Sequence, residues 1–309
     1  MAVLEEGWAK EILCIAAKCD SWRSSPDHGS SVPLICDDVR AGLIKGHVAT
    51  TLVQYPHVFQ GVYGGGGGLE SVRIVEGLRT VEERTAALNG VFGDLRDKGT
   101  YPCLRGWRNE NYSVGESFSS KTVLFHCERS AAKLLGMKQY GVHINGYVRE
   151  ASGEIKMWIG KRSDNKQTYP GLLDNTVAGG IAAGDSPLET VVKECNEEAS
   201  IPPAIATMAT PVGTISYCHD AVDGVEPETE FMYDLQLPLD FAPTPLDGEV
   251  SQYYLWGMNK IKEEIANGHF KPNSALVCLK FMIRHGLITP ETEPLYEHLS
   301  CCSHINHYQ

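Results

Sequence analysis

The sequence predicts an α/β chain, with an α/β/α sandwich from about residue 138 onward. Three observations carry this. Strand-like stretches at 140–149 and 155–162 are separated by Ser152-Gly153, a hairpin signal. Further strand-like stretches follow at 212–217, 231–237 and 252–256. Between the two groups stands one well-signalled amphipathic helix that starts at Pro187. A helix framed by strands has to bury its apolar stripe against a sheet.

The remaining elements are read in order. Residues 8–20 are helical, and the five glycines at 64–68 form a flexible loop. A phosphate-binding loop would end in Gly-Lys-Ser/Thr, whereas Leu69-Glu70 follow here. Residues 80–98 form a helix that buries Leu88, Val91, Phe92 and Leu95. A shorter helix over 128–135 stops at Gly136, after which the pattern turns strand-like. Helices over 259–266 and 274–285 close the chain.

The central helix has clear ends. Ser186 is a capping residue, Pro187 fits the first helical position, and Glu189 completes a Ser-x-x-Glu capping box. Leu188, Val192, Cys195 and Ala199 give it an apolar face. Gly179, Gly180 and Gly184 allow a tight loop before the cap. Glu194, Glu197 and Glu198 stand at i, i+3 and i+4 and so share one face. Like charges at that spacing repel, and a hard divalent cation, Mg²⁺ or Mn²⁺, would relieve them.

Composition narrows the function. A length of 309 residues suits about two domains. The net charge of −12 argues against a general binder of nucleic acid or of an anionic membrane. A phosphorylated ligand therefore needs a local basic pocket. No apolar run approaches the roughly 18 residues of a membrane span. The N-terminal stretch MAVLEEGWAKEILC lacks a secretory or transit pattern, and the terminal His-Tyr-Gln is not a retention or peroxisomal ending. Ten scattered cysteines read as reduced thiols, which places the protein in the cytoplasm. Cys301, Cys302, His304 and His307 form a possible soft-metal set, but a frayed tail over 301–309 is the expectation.

The segment 179–201 resembles the signature of Nudix hydrolases, G-x5-E-x7-R-E-U-x-E-E-x-G-U with U aliphatic. Gly179 takes the first glycine, Asp185 the first acid and Lys193 the arginine. Glu194, Cys195, Glu197 and Glu198 follow, then Ser200 at the last glycine and Ile201 at the last aliphatic. Three positions depart from the pattern. Asp185 is one methylene short, Lys193 lacks the planar fork of Arg, and Ser200 stands where a left-handed helix end is expected. The segments 102–114, 139–148, 161–178 and 269–290 look like the thiamine-pyrophosphokinase-related Nudix proteins. That resemblance implies a mixed-sheet Nudix α/β/α sandwich over 138–300, after a smaller α+β N-terminal domain over 1–137. Some fungal members carry a further thiamine pyrophosphokinase domain, for which this chain leaves no room.

The resemblance also implies chemistry. Glu194, Glu197 and Glu198 would hold Mg²⁺, or Mn²⁺, against the phosphates. Glu249 lies in the matching downstream segment, so either Glu194 or Glu249 would be the general base, with Lys193 beside them. Lys161, Arg162 and Lys166 would clamp a diphosphate. Tyr169, Asn175, Trp107 and Arg108 are the other substrate-binding candidates. The expected reaction is hydrolysis of a small organic diphosphate, thiamine diphosphate or its oxidised, oxythiamine-type analogues, to the monophosphate and phosphate. A nucleoside-diphosphate-derivative pyrophosphatase and a non-catalytic diphosphate-binding protein are the alternatives. An isopentenyl-diphosphate-isomerase-like protein is a third, prompted by 167–171 with Asp174-Asn175. Such isomerases place a cysteine shortly after the Asn, whereas Thr176-Val177-Ala178 follow here. The expected partner is the small-molecule diphosphate, with no nucleic acid and no membrane, and with a homodimer left open.

Overall fold

The fold is that of a computed structural model, which describes residues 2–120 and 122–304. The N-terminal part runs α1 (Ala2–Cys19), β1 (Val32–Cys36), β2 (Val39–Ile44), α2 (Gly46–Leu52), β3 (Phe59–Tyr63), β4 (Leu69–Ile74), α3 (Val81–Asp97), β5 (Asn111–Gly115), β6 (Val123–Glu128) and α4 (Ala132–Leu135). Four strands form a sheet in the order β2-β1-β4-β3, and β5-β6 is a separate ribbon. The five-glycine loop joins β3 to β4, which pair antiparallel. Helix α3 carries the full capping box of Thr80 and Glu83 and buries Leu88, Val91, Phe92 and Leu95 as its period demands. Those four residues share one core with Leu34, Val72 and Phe125.

The C-terminal part runs β7 (Gln139–Arg149), β8 (Ile155–Arg162), β9 (Leu173–Asp174), β10 (Val177–Gly180), α5 (Pro187–Ala199), α6 (Pro203–Ala206), β11 (Thr210–Ala221), β12 (Gly224–Gln236), β13 (Val250–Gly257), α7 (Met258–Ala266), α8 (Pro272–Arg284) and α9 (Tyr296–Cys301). Its sheet has the order β11-β12-β7-β8-β13, with β10 beside β7 and β9 beside β8. Strands β12 and β7 are parallel and β7 and β8 antiparallel, so the sheet is mixed as expected. Side chains alternate across it. Val142, Ile144 and Leu235 pack with Val191, Cys195 and Ala199 of α5 on one face. Met157, Ile215 and Met232 pack with Leu276, Leu279 and Phe281 of α8 on the other. The result is the α/β/α sandwich.

Three expectations are corrected here. Helix α1 belongs by packing to the C-terminal core: Trp8, Ile12 and Ile15 are buried with Ile261, Ile265 and Val277 of α7 and α8. A domain of residues 1–137 therefore cuts this helix from its own core. The tail is tied down as far as the structure describes it. Leu299 is buried, and the Ser216 amide donates to the Ser303 carbonyl at 2.9 Å. His307 lies outside the described residues, and among those described no group of three His, Cys, Asp or Glu side chains could hold a metal ion. Finally, the buried stripe of α5 uses Val191 with Cys195 and Ala199, whereas Leu188 is exposed.

Candidate active site

Strand β10 and helix α5 carry the acidic motif. The Ser186 side chain and Glu189 close the capping box, and Ser200 ends the helix in the left-handed region at φ 54°. Its hydroxyl compensates in part by donating to the Thr244 carbonyl at 2.9 Å. The Glu194 carboxylate lies over the bare Cα of Gly179, where a Cβ would come within 2.4 Å of the carboxyl carbon. A side chain at 179 would push that carboxylate out of its place. Burial pushes the Glu194 carboxyl up to about 7, with Glu197 and Glu249 adding to the rise and Lys193 and Arg129 opposing it. Glu198 turns inward, accepts from the Ala178 amide at 3.2 Å, and is raised by burial and by the charge of Glu194.

These carboxylates do not enclose a cation pocket as they stand. They nonetheless fit one. Two crowded, partly buried carboxylates on one helix carry repulsion that a divalent cation would remove, and Mg²⁺ keeps several waters while taking only one or two carboxylates directly. Glu194, Glu197 and Glu198 would hold it, with Glu249 near enough to raise Glu194.

A cleft of about 1360 Å³ opens between the N-terminal and C-terminal parts. Glu194, Glu197, Lys193 and Glu249 line it, as do Lys166, Tyr169 and Arg108. Lys166 is ion-paired with Glu249; burial raises the Glu249 carboxyl, but that lysine outweighs it and holds the group below the usual range. Arg108 donates to Gln167 at 3.2 Å. Asp185 lies outside this cleft, in the wall of a smaller cavity at the start of α5.

Three expected contacts, from Asn175, Trp107 and Lys161, are not made, and Arg162 is largely committed to partners within the chain. Arg162 is buried, donating to Asp174 at 2.8 Å and to the carbonyls of Thr168 and Tyr169 at 2.8 and 3.0 Å. It braces the 163–170 loop with most of its donors, from a place in the wall of the cleft. Asn175 is buried between His143 at 2.6 Å and Asn145 at 3.0 Å, so it too is structural. Trp107 packs against the N-terminal core under the Arg96 guanidinium, 4.7 Å from its ring, and does not line the cleft. Lys161 also stands outside it.

Sequence reading missed Arg129. It follows β6 in a short 3-10 turn and crosses into the cleft. Its Nη1 reaches Glu110 at 3.2 Å, and its Nη2 lies 3.2 Å from where a Cβ on Gly180 would sit. Its charge acts on Glu194. No local motif announces it, because the fold alone brings residue 129 beside the acidic helix.

A mixed sheet between helices, with a carboxylate-bearing helix facing a cation-lined cleft, defines a metal-dependent hydrolase of phosphorus anhydrides. The chain belongs to the Nudix hydrolase family. The family profile described as "NUDIX domain" matches residues 139–274, and "Domain of unknown function (DUF4743)" matches 11–139. The chain is 39% identical over 286 residues to Nudix hydrolase 20, chloroplastic, of Arabidopsis thaliana, covering 90% of this chain and 75% of that protein. It is 40% identical over 266 residues to Nudix hydrolase 24, chloroplastic, of the same plant, covering 85% and 70%. Among solved structures, the C. elegans Ap4A hydrolase binary complex aligns with a TM-score of 0.37 at 13% identity, over 48% of this chain and 99% of that one.

Proposed function

We propose that the protein hydrolyses a small organic diphosphate to the monophosphate and inorganic phosphate. Thiamine diphosphate and its oxidised, oxythiamine-type analogues are the first candidates. They rest on the resemblance of 102–114, 139–148, 161–178 and 269–290 to thiamine-pyrophosphokinase-related Nudix proteins. The observation that carries the reaction type is the shared cleft. The carboxylates of α5 and Glu249 face Arg129 and Arg108 from the N-terminal part. Those guanidinium groups suit phosphate oxygens, and their planar donors fit them better than lysine would.

A bound Mg²⁺ or Mn²⁺ would neutralise phosphate charge and acidify a water. The chain's own groups do the rest. Arg129 and Arg108 orient the anion, and the N-terminal wall narrows access of bulk water. Glu194 or Glu249 accepts the proton of the attacking water. The new bond joins that oxygen to phosphorus, and the bridging oxygen leaves on the other phosphate.

The test is a panel of purified diphosphates with and without Mg²⁺, followed by product analysis in ¹⁸O-water. Label in inorganic phosphate places attack on the terminal phosphorus. If a dinucleotide or nucleotide sugar is turned over and no thiamine-type diphosphate is, the substrate reading fails and the anhydride chemistry stands. We carry the cytoplasmic location as a proposal. Two relatives bear a chloroplast designation, and imaging of a tagged full-length protein decides between the compartments.

A further inference from the structure

The smaller cavity beside the cleft has a volume of about 340 Å³ and opens where the β5–β6 ribbon meets the loop between β10 and α5. Protein interiors hold few voids larger than a water molecule, and small-molecule pockets run from about 300 Å³ upward. The two sides are fastened to each other, since the Ala183 amide of the loop donates to the Asn111 carbonyl of the ribbon at 2.8 Å. The space is therefore a built one, framed by both parts of the chain.

Its charge runs against that of the whole protein, which is −12. Arg40 reaches it from β2 and Lys138 from the residue before β7, and Asp185 is the one acid among the described residues of the wall. Lys138 is half-buried. Burial holds its ammonium below the usual lysine range, with Arg40 adding to the fall and Glu116 opposing it. Two cations that feel each other across a partly desolvated wall favour an anion between them. Asp185 in the same wall tells against a dianion, so one carboxylate suits the site better than a phosphate.

The rest of the wall is apolar. Phe118 and Tyr140 meet edge to face with ring centroids 4.8 Å apart, and Phe118 also packs on Phe231 at 4.8 Å, so the rings hold one another in place. Ala41, Val114 and Ile181 are buried side chains of this wall. Such a surface takes a flat apolar body while the cations take its acid group.

The cavity also touches the machinery of the cleft. Tyr112 stands in the walls of both spaces. Its hydroxyl lies 2.6 Å from where a Cβ on Gly180 would sit, and the Arg129 guanidinium lies over its ring at 5.5 Å. Ala182 and Asp185 lie on the loop that leads into the carboxylates of α5. An occupant that bears on this ring and this loop bears on Arg129 and on α5.

We propose that this cavity is a second ligand site, separate from the cleft, for a small flat aromatic carboxylate, and that its occupant adjusts turnover in the cleft. The binding stands without the hydrolase reading above, and the effect on turnover rests on it.

The experiment uses the full chain and a matched pair of probes, 2-naphthoate and the neutral 2-naphthamide, measured by calorimetry without metal. The wild type should bind one naphthoate and bind the amide at least tenfold more weakly. Lys138→Gln and Arg40→Gln together should weaken naphthoate at least tenfold, whereas Lys166→Gln and Arg108→Gln, on the cleft, should leave it unchanged. Asp185→Asn should tighten it, which keeps the test decisive if thermal melts show a cation variant unfolded. Equal affinity for the two probes overturns the proposal, as does naphthoate binding that survives loss of both cations, that is lost in the cleft variants instead, or that weakens in Asp185→Asn. With Mg²⁺ and a diphosphate that the wild type hydrolyses, saturating naphthoate should change kcat at least twofold in the wild type and not in the double variant. A rise in KM alone places the probe in the cleft and overturns the proposal, and an unchanged rate overturns the coupling. Naphthoate binding with no diphosphate hydrolysed supports the site and sinks the hydrolase reading. Hydrolysis without naphthoate binding does the reverse.

Discussion

Two sets of carboxylates flank one sheet, and they are built on opposite plans. Glu194, Glu197 and Glu198 stand on α5, spaced so that they repel, with one backbone amide on Glu198 and no committed cation. Glu228 and Glu230 stand on β12, tied together through Tyr217 and Asn273. The first set is short of positive charge, whereas in the second Tyr217 and Asn273 supply hydrogens and the raised Glu228 carboxyl holds a proton of its own. A divalent ion answers the need of the first set. The same residue type thus stands in two different settings along one cleft, and only the neighbours tell them apart.

The comparison depends on Arg162 serving neither set. Arg162→Ala should destabilise the fold by about 1.5–3 kcal/mol, because it removes a charge-assisted hydrogen bond from the buried Asp174 while Ser274 and Lys271 remain. Burial raises Asp174, but Lys271, His143 and Arg162 outweigh it and depress the group strongly. A depressed carboxylate gives stability that is present above its unfolded pKa and lost as pH falls through the folded one. The deficit of the variant should therefore persist at pH 7 and shrink only under strong acid. Denaturant melts across pH check this, and a variant with native stability but a raised KM would return Arg162 to the phosphate.

On the α5 side, Glu198→Gln should cut Mg²⁺-dependent turnover roughly 10²-fold or more while the melting temperature holds or rises, since it removes a crowded buried charge. Unchanged turnover at limiting Mg²⁺ would break the assignment. Arg129→Ala should lower kcat/KM about tenfold, the size of a charge-assisted hydrogen bond, and Arg129→Lys should recover part of it. Steady-state kinetics read both, and an unaffected kcat/KM would remove the N-terminal part from the site.

On the β12 side, burial and Glu230 raise the Glu228 carboxyl. A raised carboxylate keeps its proton in the folded state after the unfolded chain has lost it. Stability should then decline as pH climbs from the ordinary carboxylate range toward neutrality, by no more than about 1.4 kcal/mol per pH unit for one proton. Glu228→Gln should flatten that slope in chemical melts, and an unchanged slope would place the proton elsewhere. The smallest effect expected is Ser200→Gly, a gain of about 0.5–1 kcal/mol from relief of the left-handed backbone, reduced by loss of the Thr244 contact. A thermal melt resolves it.

The sequence was most legible where one element holds its own logic. Helical spacing alone placed Glu194, Glu197 and Glu198 together, and Ser186 with Glu189 marked their helix start. Long-range partners were not legible. Arg162 and Asn175 carry the same local signal whether they face a ligand or the core, and Asp174 and His143 decide it. The short strands of the N-terminal sheet, such as β1 with Pro33, lack a clean alternation and went unread. Glu230 meets Asn273 only because β12 and α8 are packed together.

Helix α1 gives the chain a schedule. Trp8 and Ile12 are made some 250 residues before the α8 residues that cover them. At ~5–20 residues per second, synthesis leaves them waiting about 10–50 s. During that interval the β1–β4 sheet has its own partners at hand, whereas the helix still lacks α7 and α8. A ribosome-bound fragment ending before α7 should therefore show a protease-resistant β1–β4 region and a protease-sensitive α1, and a holdase would find its target in that helix.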